Sequence, residues 1–425
     1  MGCSIGAFAV GRLNNLAGSG RNEEGEPVLN SMERRCGLTL LLTTGYPARG
    51  SCTEFDGTPI WIDLVCLTCL IPATAVCLTY LMCTVLGMKN RGPVQPVAKP
   101  LHFTVLIPAH DEESTLGTAL NSLAAQDYPA THFKILVVAD NCSDATAEVA
   151  RQHGVECLVR ANAKRRGKGF AIAAGMEMLE RPSLARPANS IVLILDADCE
   201  LSPTALLELN ATFAAGADVA QTAVQSRNAD EGPASYVAAV GAAIDRAVAS
   251  GRDRLGFRVP LRGTGMALRH EVLGHVKWST ASPVEDAEYD RELRRSGVRV
   301  RFCSNAIVSC EAPASLAMLC RQRRRWAFAG PLASKPITLA HLFATVAFCF
   351  ACNHFSTWAS LLLLITALIY LKAMLAVGLT RRRFGLLALS PIVVVRLLGV
   401  AMTGLLLPRP RTWDRTPRIG EGRVA

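Results

Sequence analysis

The chain is 425 residues long, half of it apolar, with a formal net charge of +10. That length holds two domains, or one large domain plus membrane segments, and a positive mean hydropathy argues against a wholly water-soluble enzyme. The basic residues gather beside apolar stretches with no nucleic-acid-binding signature, which excludes nucleic acid as a partner.

Residues 1–58 contain Gly and Ser, mix charges, show no periodicity and receive no function. Met1 to Gly6 lacks the Ser or Thr that N-myristoylation requires at position six. Residues 59–91 are expected to hold a transmembrane helix, because Leu64 to Met88 carries no charge. About 25 residues at ~1.5 Å each exceed the ~30 Å hydrocarbon core. Pro72 is expected to bend that helix; the alternative is a buried core helix. A Pro-containing linker, Gly92 to Pro100, follows.

From His102 short apolar runs alternate with helical stretches. Strands are expected at Phe103 to Ile107, Lys134 to Ala139, Cys157 to Arg160 and Ser190 to Leu195. Helices are expected at Glu113 to Ala125, at Ser143 to His153 with Ser143 as N-cap, and at Gly167 to Leu179. Another should start at Ser202-Pro203. This alternation predicts an α/β layer with a mostly parallel, buried sheet, whose ligands bind at the carboxyl ends of the strands.

Residues 336–407 are expected to hold transmembrane or interfacial segments. Thr357 to Leu379 is long enough to span; Ile337 to Phe355 is more polar, through His341, Asn353 and His354. Phe384 to Leu407 contains Pro391 and Arg396, which leaves a span and a tilted, re-entrant or interfacial segment as alternatives. Residues 408–425 form a basic tail. Lys89, Arg91, Lys99, Arg381 to Arg383 and this tail sit at the apolar ends. The positive-inside rule then makes the chain an integral protein of the inner or plasma membrane, with its central block and tail cytoplasmic. The fifteen cysteines show no disulfide framework, which suits that compartment. Cys66/Cys69 and Cys349/Cys352 are C-x-x-C pairs inside apolar helices, where small packing residues outweigh a zinc or redox site.

The strand ends carry the chemistry. Pro108-Ala109-His110-Asp111-Glu112, Asp140-Asn141, Arg165 to Gly169 and Asp196-Ala197-Asp198 fall at one sheet edge. In extended backbone Asp196 and Asp198 face the same way, so both can reach one Mg²⁺ or Mn²⁺ ion; a capped turn is the plain alternative. Lys168, after Gly167, can approach a diphosphate. Glu285 and Asp286 open a helical stretch, either as ordinary acids at a helix N-terminus or as the source of a general base. Ser315 to Phe328 is apolar on one face and cationic on another, and fits an interfacial helix whose Gln322, Arg325 and Trp326 turn inward.

In order, the chain shows I-P-A-H-D-E-E, V-V-A-D-N-C-S-D, R-G-K-G, D-A-D, G-T-G-M-A-L, V-E-D and Q-R-R-R-W. From about Phe103 to Trp326 it resembles family 2 glycosyltransferases, in the membrane-embedded branch of cellulose, chitin, hyaluronan and poly-N-acetylglucosamine synthases. Trp413 to Arg418 gives a weaker echo. The resemblance implies a GT-A fold over residues 102–330: an α/β unit with a Rossmann-like nucleotide-binding half and a mixed sheet, accompanied by transmembrane helices. It implies a nucleotide-sugar donor bound by Pro108, Glu112, Asp140, Lys168, Asp196, Gln322, Arg325 and Trp326, with Asp198 and Asp196 as metal ligands. It implies Asp286 as catalytic base, and Gly263, Thr264, Gly265, Glu285 and Trp326 at the acceptor. Ala139 stands where many members have Asp, His110-Asp111 where Tyr-Asn is commoner, and Thr264 where Asn is frequent.

The expected activity is inverting, metal-dependent transfer of a sugar, with a UDP-sugar as the expected donor, to a hydroxyl of a growing saccharide. Transfer of a single sugar to a lipid is the alternative, and a non-catalytic scaffold a third reading that the intact set of acids opposes.

Overall fold

The computed structural model describes residues 60–88, 99–181, 187, 189–278, 284–327 and 335–406. Residues 1–58, most of the expected linker, the basic tail with its Trp413 to Arg418 echo, and the side chain of Arg325 lie outside that description.

Strand β1 (Phe103–Ala109) is buried at every position, which requires cover on both faces. Its odd residues Phe103, Val105 and Ile107 enter one apolar layer and Leu106 the other, following the two-residue period of a strand. Strands β2 (Phe133–Asp140) and β3 (Glu156–Arg160) lie beside it in parallel. On its other side runs β4 (Ile191–Ile194), also parallel and fully buried. Helix α1 (Ile60–Gly87) precedes this sheet. Leu116, Leu120 and Leu123 of α2 (Leu116–Ala124) cover the first face, and Ile172, Met176 and Leu179 of the helix Lys168–Leu179 the second.

The second half is mixed. β5 (Glu200–Leu201), β6 (Val219–Ser226), β7 (Met266–Arg269) and β8 (Val300–Cys310) complete an eight-stranded sheet of order β3-β2-β1-β4-β7-β6-β8-β5. β7 runs antiparallel between β4 and β6. The mostly parallel sheet read from the chain therefore holds for β1 to β4, and the antiparallel β7 reverses direction beyond them.

Several helices start later than their patterns suggest. The helix expected from Ser143 is α3 (Thr146–Gln152), and Ser143 is not its N-cap. The Ser143 N–H donates to Asp111 Oδ1 at 2.7 Å, and the Thr146 N–H to Asp144 Oδ1 at 3.0 Å. Asp144 thus closes a turn with its own side chain before the helix begins. After α4 (Lys168–Leu179), the helix expected at Ser202-Pro203 is α5 (Ala205–Ala214). The Ser202 N–H still donates to Ile307 O of β8 at 2.8 Å, so Ser202 belongs to the sheet.

The absence of disulfides read from the chain is corrected: Cys199 is bonded to Cys310, 111 residues away. β5 and β8 are antiparallel with Glu200 opposite Ser309, so the next step of the register brings Cys199 opposite Cys310. Such a pairing follows from a long-range ladder and not from local spacing.

Helix α6 (Pro233–Arg254) has two working faces. Tyr236, Val240 and Ile244 pack against Ile369 and Ala373 of a C-terminal helix, while Ala238, Ala242, Asp245 and Ala249 line the central cavity. Its approach to α1 is close: a Cβ on Gly251 would collide with Cys83 O, and one on Gly87 with Ala247 O. Short helix α7 (His270–His275) and helix α8 (Glu285–Arg295) return to the sheet, and α9 (Leu316–Ala327) leads away from it.

The C-terminal helices are α10 (Lys335–Ala351), α11 (Ser356–Val377) and α12 (Arg381–Leu406). Three helical stretches are long and apolar enough to cross a membrane: Ile60–Gly87, Ser356–Val377 and Arg381–Thr403. α12 continues through Pro391 as one helix, as α1 does through Pro72. Cys66 and Cys349 are fully buried in the apolar cluster shared by α1, α10 and α11. Arg383 joins α12 to the segment between β6 and α6, with Nε and Nη2 donating to Asp230 at 2.8 and 2.7 Å.

Candidate active site

The sheet edge opens into a cavity of about 550 Å³. Every site residue named from the sequence lines it except Gly265 and Arg325. Gly265 supports it from beneath, and the Arg325 side chain lies outside the described residues.

On the β1 and β2 side the polar residues are firmly held. His110 Nδ1 lies 2.7 Å from Asp140 O. Glu112 Oε2 accepts from the Thr115 hydroxyl at 2.6 Å, and the Glu112 N–H donates to Thr146 Oγ1 at 2.7 Å. Asp140 is only 3% exposed. It accepts from Arg160, from Asn141 Nδ2 at 2.9 Å and from the Gly167 N–H at 3.4 Å. The carboxylate therefore anchors the turn into α4 as well as lining the cavity. Asp111 and Asn141, with φ of 54° and 52°, both take the left-handed conformation that short polar side chains tolerate.

Lys168, the first residue of α4, is the centre of the charged group. Its ammonium donates to Gly263 O and stands 2.5 Å from Asp196 Oδ1 and 3.8 Å from Glu285 Oε1. Burial opposes its charge, but Asp196 and Glu285 outweigh that and raise its pKa. Burial likewise pushes the Asp196 carboxyl upward, against the pull of Lys168.

The loop before β7 is built to stay rigid. The Gly265 N–H donates to Ile194 O at 2.8 Å, with φ at 68° and no room for a Cβ beside Thr222 Oγ1. Thr264 Oγ1 accepts from the Asp196 N–H at 3.1 Å. Fully buried Gln221 spans the loop: its Nε2 donates to Thr264 O, and its Oε1 accepts from the Arg262 N–H, both at 2.8 Å. Gln221 escaped the sequence reading. Its signal was weak, because the strand VAQTAVQS is half polar and carries a second amide, Gln225, at the same parity. Arg262 and Asp245, paired at 2.8 Å, also line the cavity and were not foreseen.

Glu285 and Asp286 open α8, and Val284 before them makes no side-chain cap. Glu285 is 5% exposed and turned toward Lys168. Asp286 Oδ1 accepts from the Ala287 N–H at 2.9 Å. Its Oδ2 lies 3.6 Å from the point where a Cβ on Gly263 would stand, and Lys168 Nζ 3.2 Å from that point. On α9, Gln322, Arg323 and Trp326 line the cavity, and the Arg323 guanidinium stacks 4.6 Å over the Trp326 ring.

The Asp196 and Asp198 carboxylates lie, with Cys199, within 4.8 Å of one another. Cys199 is engaged with Cys310, which leaves two hard oxygen donors. That set fits Mg²⁺ or Mn²⁺, which accept one or two carboxylates with water and phosphate oxygens.

Burial pushes the Glu285 carboxyl up to about 7, with Lys168 working against the rise and Asp286 adding to it. Below about pH 4.5 the group is protonated in both the folded and unfolded chain. Between there and about 7 only the unfolded chain ionises, so the fold loses stability across that window and no more above it. In EDTA and without donor, Glu285→Gln should gain stability over the wild type across the window, by up to roughly 3 kcal/mol. Thermal melts at stepped pH test this, and a constant difference in Tm refutes it.

Residues 100–329 match the family described as Glycosyltransferase like family 2. The chain is 25% identical over 236 residues to the probable glycosyltransferase YdaM of Bacillus subtilis, covering 53% of this chain and 54% of that one. It is 24% identical over 267 residues to the beta-monoglucosyldiacylglycerol synthase of Trichormus variabilis, covering 58% and 54%. The chain thus spans about half the length of these curated relatives. Its fold is similar to that of the mannosyltransferase PcManGT from Pyrobaculum calidifontis, solved with GDP-Man and Mn²⁺. That match has a TM-score of 0.50 at 17% identity and covers 81% of this chain and 99% of that one.

Proposed function

Since this chain belongs to glycosyltransferase-like family 2, we propose that it is an inverting, metal-dependent transferase. It moves a sugar from a nucleotide-sugar, in our reading a UDP-sugar, to a hydroxyl of a growing saccharide. The observation that supports this reading is the meeting of Lys168, the Asp196/Asp198 pair and Asp286 around one cavity.

Pro108, Glu112 and Asp140 line the end of the cavity where the base and ribose of the donor are to lie. Asp196 and Asp198 are the residues to hold a divalent cation, which supplies positive charge beside the diphosphate. Lys168 is to stabilise the same leaving group once a donor draws it from its carboxylates. Asp286 takes the proton from the acceptor hydroxyl, which attacks the anomeric carbon opposite the departing nucleotide. One base suffices, because a nucleoside diphosphate leaves without a general acid. Gly263, Thr264 and Gly265 form the acceptor floor, with Glu285 orienting Lys168. Trp326, 43% exposed, offers a face on which a sugar ring rests, beside Gln322 and Arg325.

The match to a beta-monoglucosyldiacylglycerol synthase favours a second reading, transfer of one sugar to a lipid. The basic flanks Arg381 to Arg383 support a catalytic unit on the cytoplasmic side of the inner or plasma membrane. One experiment addresses all three points. A panel of labelled UDP-sugars is offered outside sealed vesicles of either orientation, and the product is partitioned between water and organic solvent. Aqueous polymer made by inside-out vesicles is the expected result. Label in the organic phase selects the lipid reading, activity confined to right-side-out vesicles reverses the orientation, and no transfer from any donor refutes the assignment.

A further inference from the structure

A second cavity, of about 300 Å³, lies outside the catalytic one, where α1, α6 and α11 converge. We infer that it binds the phosphate headgroup of an anionic phospholipid. Its described lining holds two cations, Arg246 and Lys372, and no carboxylate. Thr84, 4% exposed, presents a buried hydroxyl that makes no hydrogen bond, a donor of the kind a phosphate oxygen satisfies. Lys372 Nζ donates to Thr84 O at 3.0 Å, which brings the ammonium and that hydroxyl together. Asn305 of the same wall already donates to Glu208 at 3.3 Å and Ser304 to Asn305 at 3.4 Å, so the anion falls to Lys372, Arg246 and Thr84, with Ser250 on the same wall.

Depth and wall chemistry select a lipid over a free phosphate. Thr84 lies three residues before the end of α1 and Lys372 five before the end of α11, or roughly 5 and 8 Å along each axis. For the 28-residue α1 that places Thr84 at the edge of a ~30 Å hydrocarbon core, and the Lys372 ammonium reaches the same level by bonding Thr84 O. The wall also carries an apolar patch, with Ile244, Ile369 and Ala373, which suits glycerol and the first methylenes of an acyl chain. Inorganic phosphate would use only the polar end. Arg246 lines both this cavity and the catalytic one, so the lipid sits one side chain away from the reaction chamber. The site stands independently of which sugar or acceptor the enzyme uses.

Native mass spectrometry of the full chain in neutral detergent tests it, with phosphatidylglycerol and phosphatidylcholine of identical acyl chains. Phosphatidylglycerol should be retained selectively, and excess inorganic phosphate should not displace it. Lys372→Gln should weaken retention about tenfold, the value of one charge-assisted contact. Thr84→Val, which keeps shape and removes only the unpartnered hydroxyl, should weaken it several-fold, and Ala373→Phe should abolish it by filling the cavity. If Lys372→Gln does not fold, the other two variants decide. Equal retention of both lipids, displacement by phosphate, or indifference to Thr84→Val and Ala373→Phe overturns the inference.

Discussion

Asp286→Asn should abolish transfer while leaving donor affinity nearly unchanged. Glu285 and Asp286 are adjacent in the first turn of α8, so their side chains diverge by about 100° and cannot share one role. Glu285 is spent inward on Lys168 at 3.8 Å. Asp286 lines the cavity beside Gly263. A base acts in the transition state and adds little to ground-state binding, so its loss should appear in turnover, by roughly 10²-fold to 10⁴-fold. Glu285→Gln keeps the shape and should cost only on the order of a supporting hydrogen bond, ~1 kcal/mol. Donor-binding isotherms beside turnover rates for both variants separate the outcomes. An active Asp286→Asn with a dead Glu285→Gln moves the base by one residue, and loss of donor binding in both makes the pair part of the nucleotide site.

Asp198→Asn should lower activity by orders of magnitude, with partial recovery as Mn²⁺ is raised. The substitution preserves volume and removes one of two anionic oxygen donors, so the remaining site binds a divalent ion more weakly without losing its shape. Asp196→Asn should behave differently, because Asp196 also neutralises Lys168 at 2.5 Å. Removing it leaves that ammonium with Gly263 O and the more distant Glu285 carboxylate at 3.8 Å, and should destabilise the apo fold as well as the metal site. Turnover against metal concentration, beside a thermal melt in EDTA, distinguishes the two. Full activity in EDTA would remove the cation from the mechanism.

The nucleotide half was legible because its strands announce themselves. Val105 to Ile107, Leu136 to Ala139 and Ile191 to Leu195 are apolar runs that stop at polar clusters, and a parallel ladder collects those stops at one edge. The half that contains β5 to β8 was less so. β7 is four residues long, and its place between β4 and β6 depends on Gly265 taking a positive φ beneath Thr222. Cys199–Cys310 and the Gln221 clamp are contacts across the sheet that no local spacing records. Helix starts were misjudged where Asp144 or Ser202 bound the backbone first.

The double-faced helix α6 makes the sheet-bearing unit and the long apolar helices beside it a poor pair of interchangeable parts. Tyr236, Val240 and Ile244 are covered by α11, and Gly251 by the backbone of α1. A fragment freed of both α1 and α11 would therefore expose an apolar stripe on the back of the wall that lines the central cavity. A graft onto a foreign anchor meets the same constraint: Gly87 and Gly251 admit only a partner that approaches as closely. Transplanting this chemistry means carrying the helix and the segments it rests on together, with the seam placed in the loops beyond them.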